Sequence, residues 1–170
     1  MTPLPPPLGT GELHAWRMDQ KKHAPTWDSG EGAFQVGGRW NSRGRHHVVY
    51  CSLDPATAII EVAVHKGFPV LDTVPHVLTS LIVDPKEVPG IHVVQAADIP
   101  NANWLLPGVP SIGQQQFGDE LLNKHKFVLI PSVVSKHSWN LIFDSSAARR
   151  CYAMGIQENF ALDTRLHRAP

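Results

Sequence analysis

The segment Val48 to Gly67 constrains this chain most tightly. Val48-Val49-Tyr50-Cys51-Ser52 is a compact β-prone run. After Leu53 comes Asp54-Pro55, a helix-capping side chain followed by proline at the first helical position, where its missing N–H is not needed. The pattern predicts a helix through Ala56, Ala58, Ile59, Ile60, Val62, Ala63 and Val64 to Lys66, with Gly67 ending it. Apolar residues go almost all the way round this helix, which predicts that it is buried, yet Glu61 sits in their midst. A buried carboxylate must be paired, hydrogen-bonded or neutralised. Two readings are open: Glu61 faces a solvent gap or a structural arginine, or it is a catalytic carboxylate at the wall of a cleft.

Composition narrows the setting. The 170 residues carry 15 Lys+Arg against 15 Asp+Glu, with 42% hydrophobic and 18% charged residues, the balance of one globular domain. Zero net charge argues against a protein whose main work is holding nucleic acid, since phosphate binding rests on excess Lys and Arg. No apolar run approaches the roughly 20 residues that span a bilayer, and MTPLPPPLGT lacks the order of a signal peptide, so the expectation is a cytoplasmic protein with no membrane contact. Two cysteines, Cys51 and Cys151, are too few for a disulfide framework, and both are expected as buried thiols.

Residues 1–10, with prolines at positions 3, 5, 6 and 7, read as a tail ahead of a domain over 11–170. Glu12 to Met18 reads as a short strand containing Arg17, and Ser29 to Arg39, punctuated by Gly30, Gly32, Gly37 and Gly38, as a loop. Further strands are expected at Val77–Val83, Ile91–Gln95, Phe127–Ile130, Trp139–Phe143 and Phe160–Leu166, with a helix over Gly113–Lys124. This mixed order predicts an α+β domain with a central, split and mainly antiparallel sheet, not a doubly wound parallel one.

Three sets of residues could carry chemistry. Besides Glu61, Gly37-Gly38-Arg39-Trp40-Asn41 places a guanidinium and an indole after two glycines. That suits an anionic, planar ligand, with Trp40 packing on a flat ring, or else is a tight turn with Trp40 as a core anchor and Arg39 on the surface. Pro131-Ser132-Val133-Val134-Ser135 carries hydroxyls at a strand end, which commonly only cap or turn the chain, and is followed by Trp139-Asn140. The ten histidines offer no metal-binding spacing, and Ser132 has no nucleophile elbow, so neither a metal nor a serine hydrolase is expected.

In chain order these pieces resemble the RES domain family, the toxins of RES–Xre toxin–antitoxin pairs. The likeness is carried by Arg17, Gly30 with Gly32-Ala33, Gly37-Gly38-Arg39-Trp40-Asn41, Val49-Tyr50-Cys51-Ser52, Ala58 to Val62 around Glu61, Pro131-Ser132, Asn140 and Phe160 to Leu166. The resemblance implies a fold similar to ADP-ribosyltransferases and an activity on NAD+ as substrate, cleaving the nicotinamide–ribose bond. The acceptor would be water, phosphate or a target protein. It also implies a cognate antitoxin with an Xre-like helix-turn-helix domain as partner. On this reading Glu61 is the catalytic acid, Arg39 and Arg17 bind the dinucleotide's phosphates, and Tyr50 packs on nicotinamide or its ribose. Ser132 bonds the ribose or the neighbouring arginine, and Asn140 is a further contact. The family's usual continuation after Asn140 is absent, so a reshaped loop is expected there. Competing expectations are a mono-ADP-ribosyltransferase acting on a protein and a non-catalytic module that binds a nucleotide or a partner.

Overall fold

The structure, a computed structural model, describes residues 12–106, 108 and 110–163. The expected N-terminal tail and residues 164–166 of the last expected strand lie outside the described residues. The architecture is α+β, built on one seven-stranded sheet. Its strands are β1 (Leu13–Gln20), β2 (Val48–Ser52), β3 (His76–Val83), β4 (His92–Val93), β5 (Val128–Pro131), β6 (Trp139–Asp144) and β7 (Tyr152–Phe160), and the helices are α1 (Glu31–Val36), α2 (Pro55–Lys66), α3 (Phe68–Thr73) and α4 (Ile112–Lys124). Strand order is β4-β5-β6-β2-β1-β3-β7. Each neighbouring pair is antiparallel except β4 with β5.

The expected split falls between β1 and β2. They share a single register pair, Trp16 with Ser52, whereas β1 pairs with β3 from Leu13–Val83 to Gln20–His76. The sheet is therefore two halves, β4-β5-β6-β2 and β1-β3-β7, joined at a seam. On one face Ala15, Val49, Cys51, Leu81, Leu141 and Phe143 form a continuous core across both halves. The opposite face carries two clusters. Val48, Val128, Ile130 and Ile142 pack with Trp40 and Leu122 of α4, while Met18 and Leu78 pack with Ala63 and Leu71 from α2 and α3. Alternation along β2 sends Tyr50 and Ser52 to this second face.

Helix α2 begins and ends as its sequence dictates. The Asp54 carboxylate accepts the Thr57 N–H at 2.8 Å, Pro55 opens the helix, and Gly67 closes it at φ 80° with its N–H on the Ala63 carbonyl. It is not buried all round: Ile60 and Val64 are 39% and 61% exposed, because the helix lies on the sheet with no layer outside it. Ser29–Arg39 is not all loop either. Gly30 (φ 66°) and Gly37 (φ 79°) bracket α1 as its caps, so these glycines punctuate a helix instead of dissolving one.

Other boundaries also shift. The strand expected over Ile91–Gln95 keeps only His92–Val93, since reciprocal capping between Gln95 and Asp98 turns the chain into a 3-10 turn. The last strand ends at Phe160, where it was expected to begin. Asn140 lies inside β6, paired with Ser52 and Ile130: the strand expected over Trp139–Phe143 is present and runs on to Asp144, which leaves no reshaped loop directly after Asn140. Cys51 is buried, and burial pushes its thiol up to about 12. Cys151 is only half-buried, with Sγ beside Glu87 and Lys126. Among the described residues no helix is long and apolar enough to cross a membrane.

Candidate active site

The site gathers at the seam, on the face covered by α2 and α4. On α2, Glu61 follows buried Thr57 and Ala58 by one turn, which turns it towards the sheet. Its Oε1 accepts two hydrogen bonds, from Ser132 Oγ at 3.0 Å and from Asn140 Nδ2 at 2.6 Å. Each donor is itself fixed. Ser132 Oγ accepts the Ser135 N–H at 3.0 Å, and Asn140 Oδ1 accepts Ser52 Oγ at 2.8 Å, which sets the orientation of the amide. Glu61, Ser132 and Asn140 thus form one cluster: Ser132, expected to bond the ribose or a neighbouring arginine, bonds Glu61, which is hydrogen-bonded rather than held by a structural arginine. Both bonds land on Oε1.

Ser52 was not singled out in the sequence. The signal was its position two residues after Tyr50 on a strand, hence on the same face.

Arg39 lies on the loop between α1 and β2. Its Nη1 donates to the Trp104 carbonyl at 3.2 Å, and the side chain is half-buried. A cavity of about 210 Å3 is lined by Ala96, Trp104, Leu105, Ser132, Lys136 and His137. Trp104, whose carbonyl Arg39 holds, and Ser132, which bonds Glu61, both line it; Arg39 and Glu61 themselves do not. At that size it is smaller than sites for whole drug-sized ligands, which run to about 300–1,000 Å3. A second hollow of about 240 Å3 lies between α3 and the end of β7 and touches none of these residues.

Trp40 is 2% exposed and packs in the core against Trp104 and Phe117, so it anchors the loop and offers no face to a ligand ring. Tyr50 is a latch as much as a contact surface. Its hydroxyl donates to Asn41 Oδ1 at 2.7 Å and accepts the Trp40 N–H at 3.1 Å, and Asn41 in turn donates to the Ala33 carbonyl of α1 at 2.9 Å. Burial pushes the phenol well above its ordinary pKa, so it stays a donor. Only glycine fits at position 38, because a Cβ there would lie 2.5 Å from the Tyr50 hydroxyl.

Arg17 is committed elsewhere. Its guanidinium grips Asp19 with two bonds of 2.7 Å and donates to the Tyr50 carbonyl at 3.0 Å. It therefore fills the seam behind Tyr50 instead of joining the Glu61 cluster directly. Among the described residues no three His, Cys, Asp or Glu side chains form a group that could hold a metal.

A split α+β sheet with a carboxylate pinned by Ser132 and Asn140, and an arginine on a glycine-rich loop, defines the class. The chain belongs to the RES domain family, whose model matches residues 14–164. It is 28% identical over 158 residues to "Toxin Res" of Photorhabdus laumondii subsp. laumondii, covering 91% of this chain and 97% of that protein. Its fold is similar to that in a crystal structure of the M. tuberculosis MbcT-MbcA toxin-antitoxin complex, with TM-score 0.62 at 19% identity over 89% of this chain and 85% of that one.

Proposed function

We propose that this protein is a toxin of a toxin–antitoxin pair that cleaves the nicotinamide–ribose bond of NAD+. The observation that carries this reading is the Glu61 carboxylate, fixed through Oε1 by Asn140 and by Ser132, which itself lines a cavity. Breaking an N-glycosidic bond sends the electron pair to nicotinamide, which leaves neutral, and develops positive charge on the ribose. Glu61 accepts a ribose hydroxyl and stabilises that charge electrostatically; because its orientation is set before the reaction, little reorganisation is needed. Water or phosphate then forms the new C–O bond and releases its proton to solvent. Arg39 supplies positive charge for the diphosphate, and Arg17 supports it from behind the seam. Tyr50 borders the nicotinamide end with its ring edge. The relatives' names support a cognate antitoxin as the partner, and the family resemblance supports an Xre-like helix-turn-helix domain on it.

The test is product analysis after incubating pure protein with NAD+, with and without phosphate. Free nicotinamide with ADP-ribose, or with its phosphorylated form, is the expected result. Glu61→Ala should abolish release and growth arrest while NAD+ binding largely survives. Equal toxicity of wild type and Glu61→Ala would contradict the assignment. An ADP-ribose adduct on one cell protein, at unchanged total NAD+, would establish the protein-modifying reaction in its place.

A further inference from the structure

We infer that Gln115 and Asp119 of α4 are positioning residues that aim Arg39, by clamping the loop Gly38–Ser42 from below. This rests on the proposed role of Arg39 in holding the substrate diphosphate. The contacts run in register along helix and loop. Gln115 Nε2 donates to the Gly38 carbonyl at 2.8 Å, the Gly118 backbone lies flush against Trp40, and Asp119 Oδ1 accepts the Ser42 N–H at 3.0 Å. Residues 115, 118 and 119 share one helix face, so a single rigid surface meets the loop on both sides of Arg39 and beneath it.

Such a clamp has a purpose. An arginine side chain carries about 2 kcal/mol of rotamer entropy, and a mobile backbone would add to the ordering cost on binding. Fixing residues 38, 40 and 42 settles the direction in which the Arg39 side chain leaves the loop. The guanidinium is then held by the carbonyl of Trp104, which lines the cavity. Asp119 is expensive for a merely structural acceptor. It is 2% exposed, and among the described residues its Oδ2 has no hydrogen-bond partner.

The experiment compares NAD+ turnover by wild type, Asp119→Ala, Asp119→Asn and Gln115→Leu, with thermal denaturation to confirm folding. Asp119→Ala and Gln115→Leu should raise KM by about tenfold with kcat within about threefold, since the diphosphate is remote from the breaking bond. Asp119→Asn, which can still accept the Ser42 N–H, should bring KM back within about threefold of wild type. In an Arg39→Ala background, Asp119→Ala should add nothing. A folded Asp119→Ala protein with unchanged KM, or additive losses in the double variant, overturns the inference. A wild type that releases no nicotinamide defeats the functional reading instead. The clamp is then read without turnover from NMR relaxation of the Arg39 Nε–H group, which should be rigid in wild type, mobile in Asp119→Ala and rigid again in Asp119→Asn. Equal mobility in all three also overturns it.

Discussion

Gly118→Ala sets two physical effects against each other on α4. Alanine is the better helix former by about 1 kcal/mol, so propensity alone predicts a more stable protein. Packing predicts the reverse. A Cβ at position 118 would stand 2.0 Å from the Trp40 carbonyl oxygen and 2.6 Å from its carbon, where real contacts stay above 3.0 Å. Helix and loop would have to part by about 1 Å, and backbone cannot swing aside as a flexible side chain can. That movement stretches the Gln115–Gly38 and Asp119–Ser42 bonds, now 2.8 and 3.0 Å, to near 4 Å, beyond hydrogen-bonding range. The neutral bond contributes about 1 kcal/mol and the charged one about 1.5–3 kcal/mol, so the net loss after the helix gain is about 1.5–3 kcal/mol. For a domain of this size the melting temperature should fall by about 3–12 °C. Gly113→Ala is the matched control, because nothing lies within 4 Å of a Cβ there and the same helix should gain slightly. The measurement is calorimetric melting of all three proteins. A Gly118→Ala melting point equal to or above wild type would refute the close approach of α4 to the Trp40 loop.

Ser132→Ala removes one of two donors to Glu61 Oε1, a charge-assisted bond of about 1.5–3 kcal/mol, so kcat for nicotinamide release should fall by about 10- to 100-fold; an unchanged kcat would separate Ser132 from the chemistry. Tyr50→Phe leaves the Trp40 N–H and the Asn41 side-chain Oδ1 without the Tyr50 hydroxyl and should cost about 1–3 kcal/mol in denaturant melts. A neutral result there would show that the latch is not holding the loop. Burial pushes the Asp54 carboxyl up, but hydrogen bonds from Ser138, from the Thr57 N–H and hydroxyl, and from the Ala56 N–H outweigh it and hold it below the ordinary carboxylate range. A depressed folded pKa means stability that is complete above the unfolded value of about 3.9 and lost as pH falls through the lower folded value. Wild type should therefore lose its advantage over Asp54→Asn as pH is lowered from about 5 to 3, and a constant difference in melting temperature across that window would count against the assignment.

What the sequence disclosed is what local chemistry decides. Strand β2 and helix α2 follow from a β-branched run, an Asp-Pro start and a glycine stop, all within neighbouring residues. Glu61 and Arg39 stood out because a charge in an apolar helix and a guanidinium after paired glycines need explaining wherever they occur. Strand β7 gave no such sign. Its residues from Ala153 to Asn159 are all exposed, as befits an edge strand with neither face covered, so no alternation of polarity marks it. The partners of the site residues were equally hidden. Asp119 meets Ser42 across 77 positions and Asn140 meets Glu61 across 79, distances over which only the fold decides who meets whom.

The seam explains why these distant partners meet where they do. Continuous pairing of β1 with β2 would give the Tyr50 carbonyl a strand partner; with only Trp16 and Ser52 in register, that acceptor lies within a sheet and needs another donor. Arg17 provides it, held in place by Asp19. The same interruption separates the two apolar clusters on the helical face, one under α4 and one under α2 and α3. Polar side chains from β2, β5 and β6, namely Ser52, Ser132 at the end of β5, and Asn140, can then converge on Glu61 without breaking either core. A sheet zipped from edge to edge would bring those clusters together and exclude the carboxylate. The interruption that costs backbone hydrogen bonds is thus also what makes room for a charged group between two packed layers.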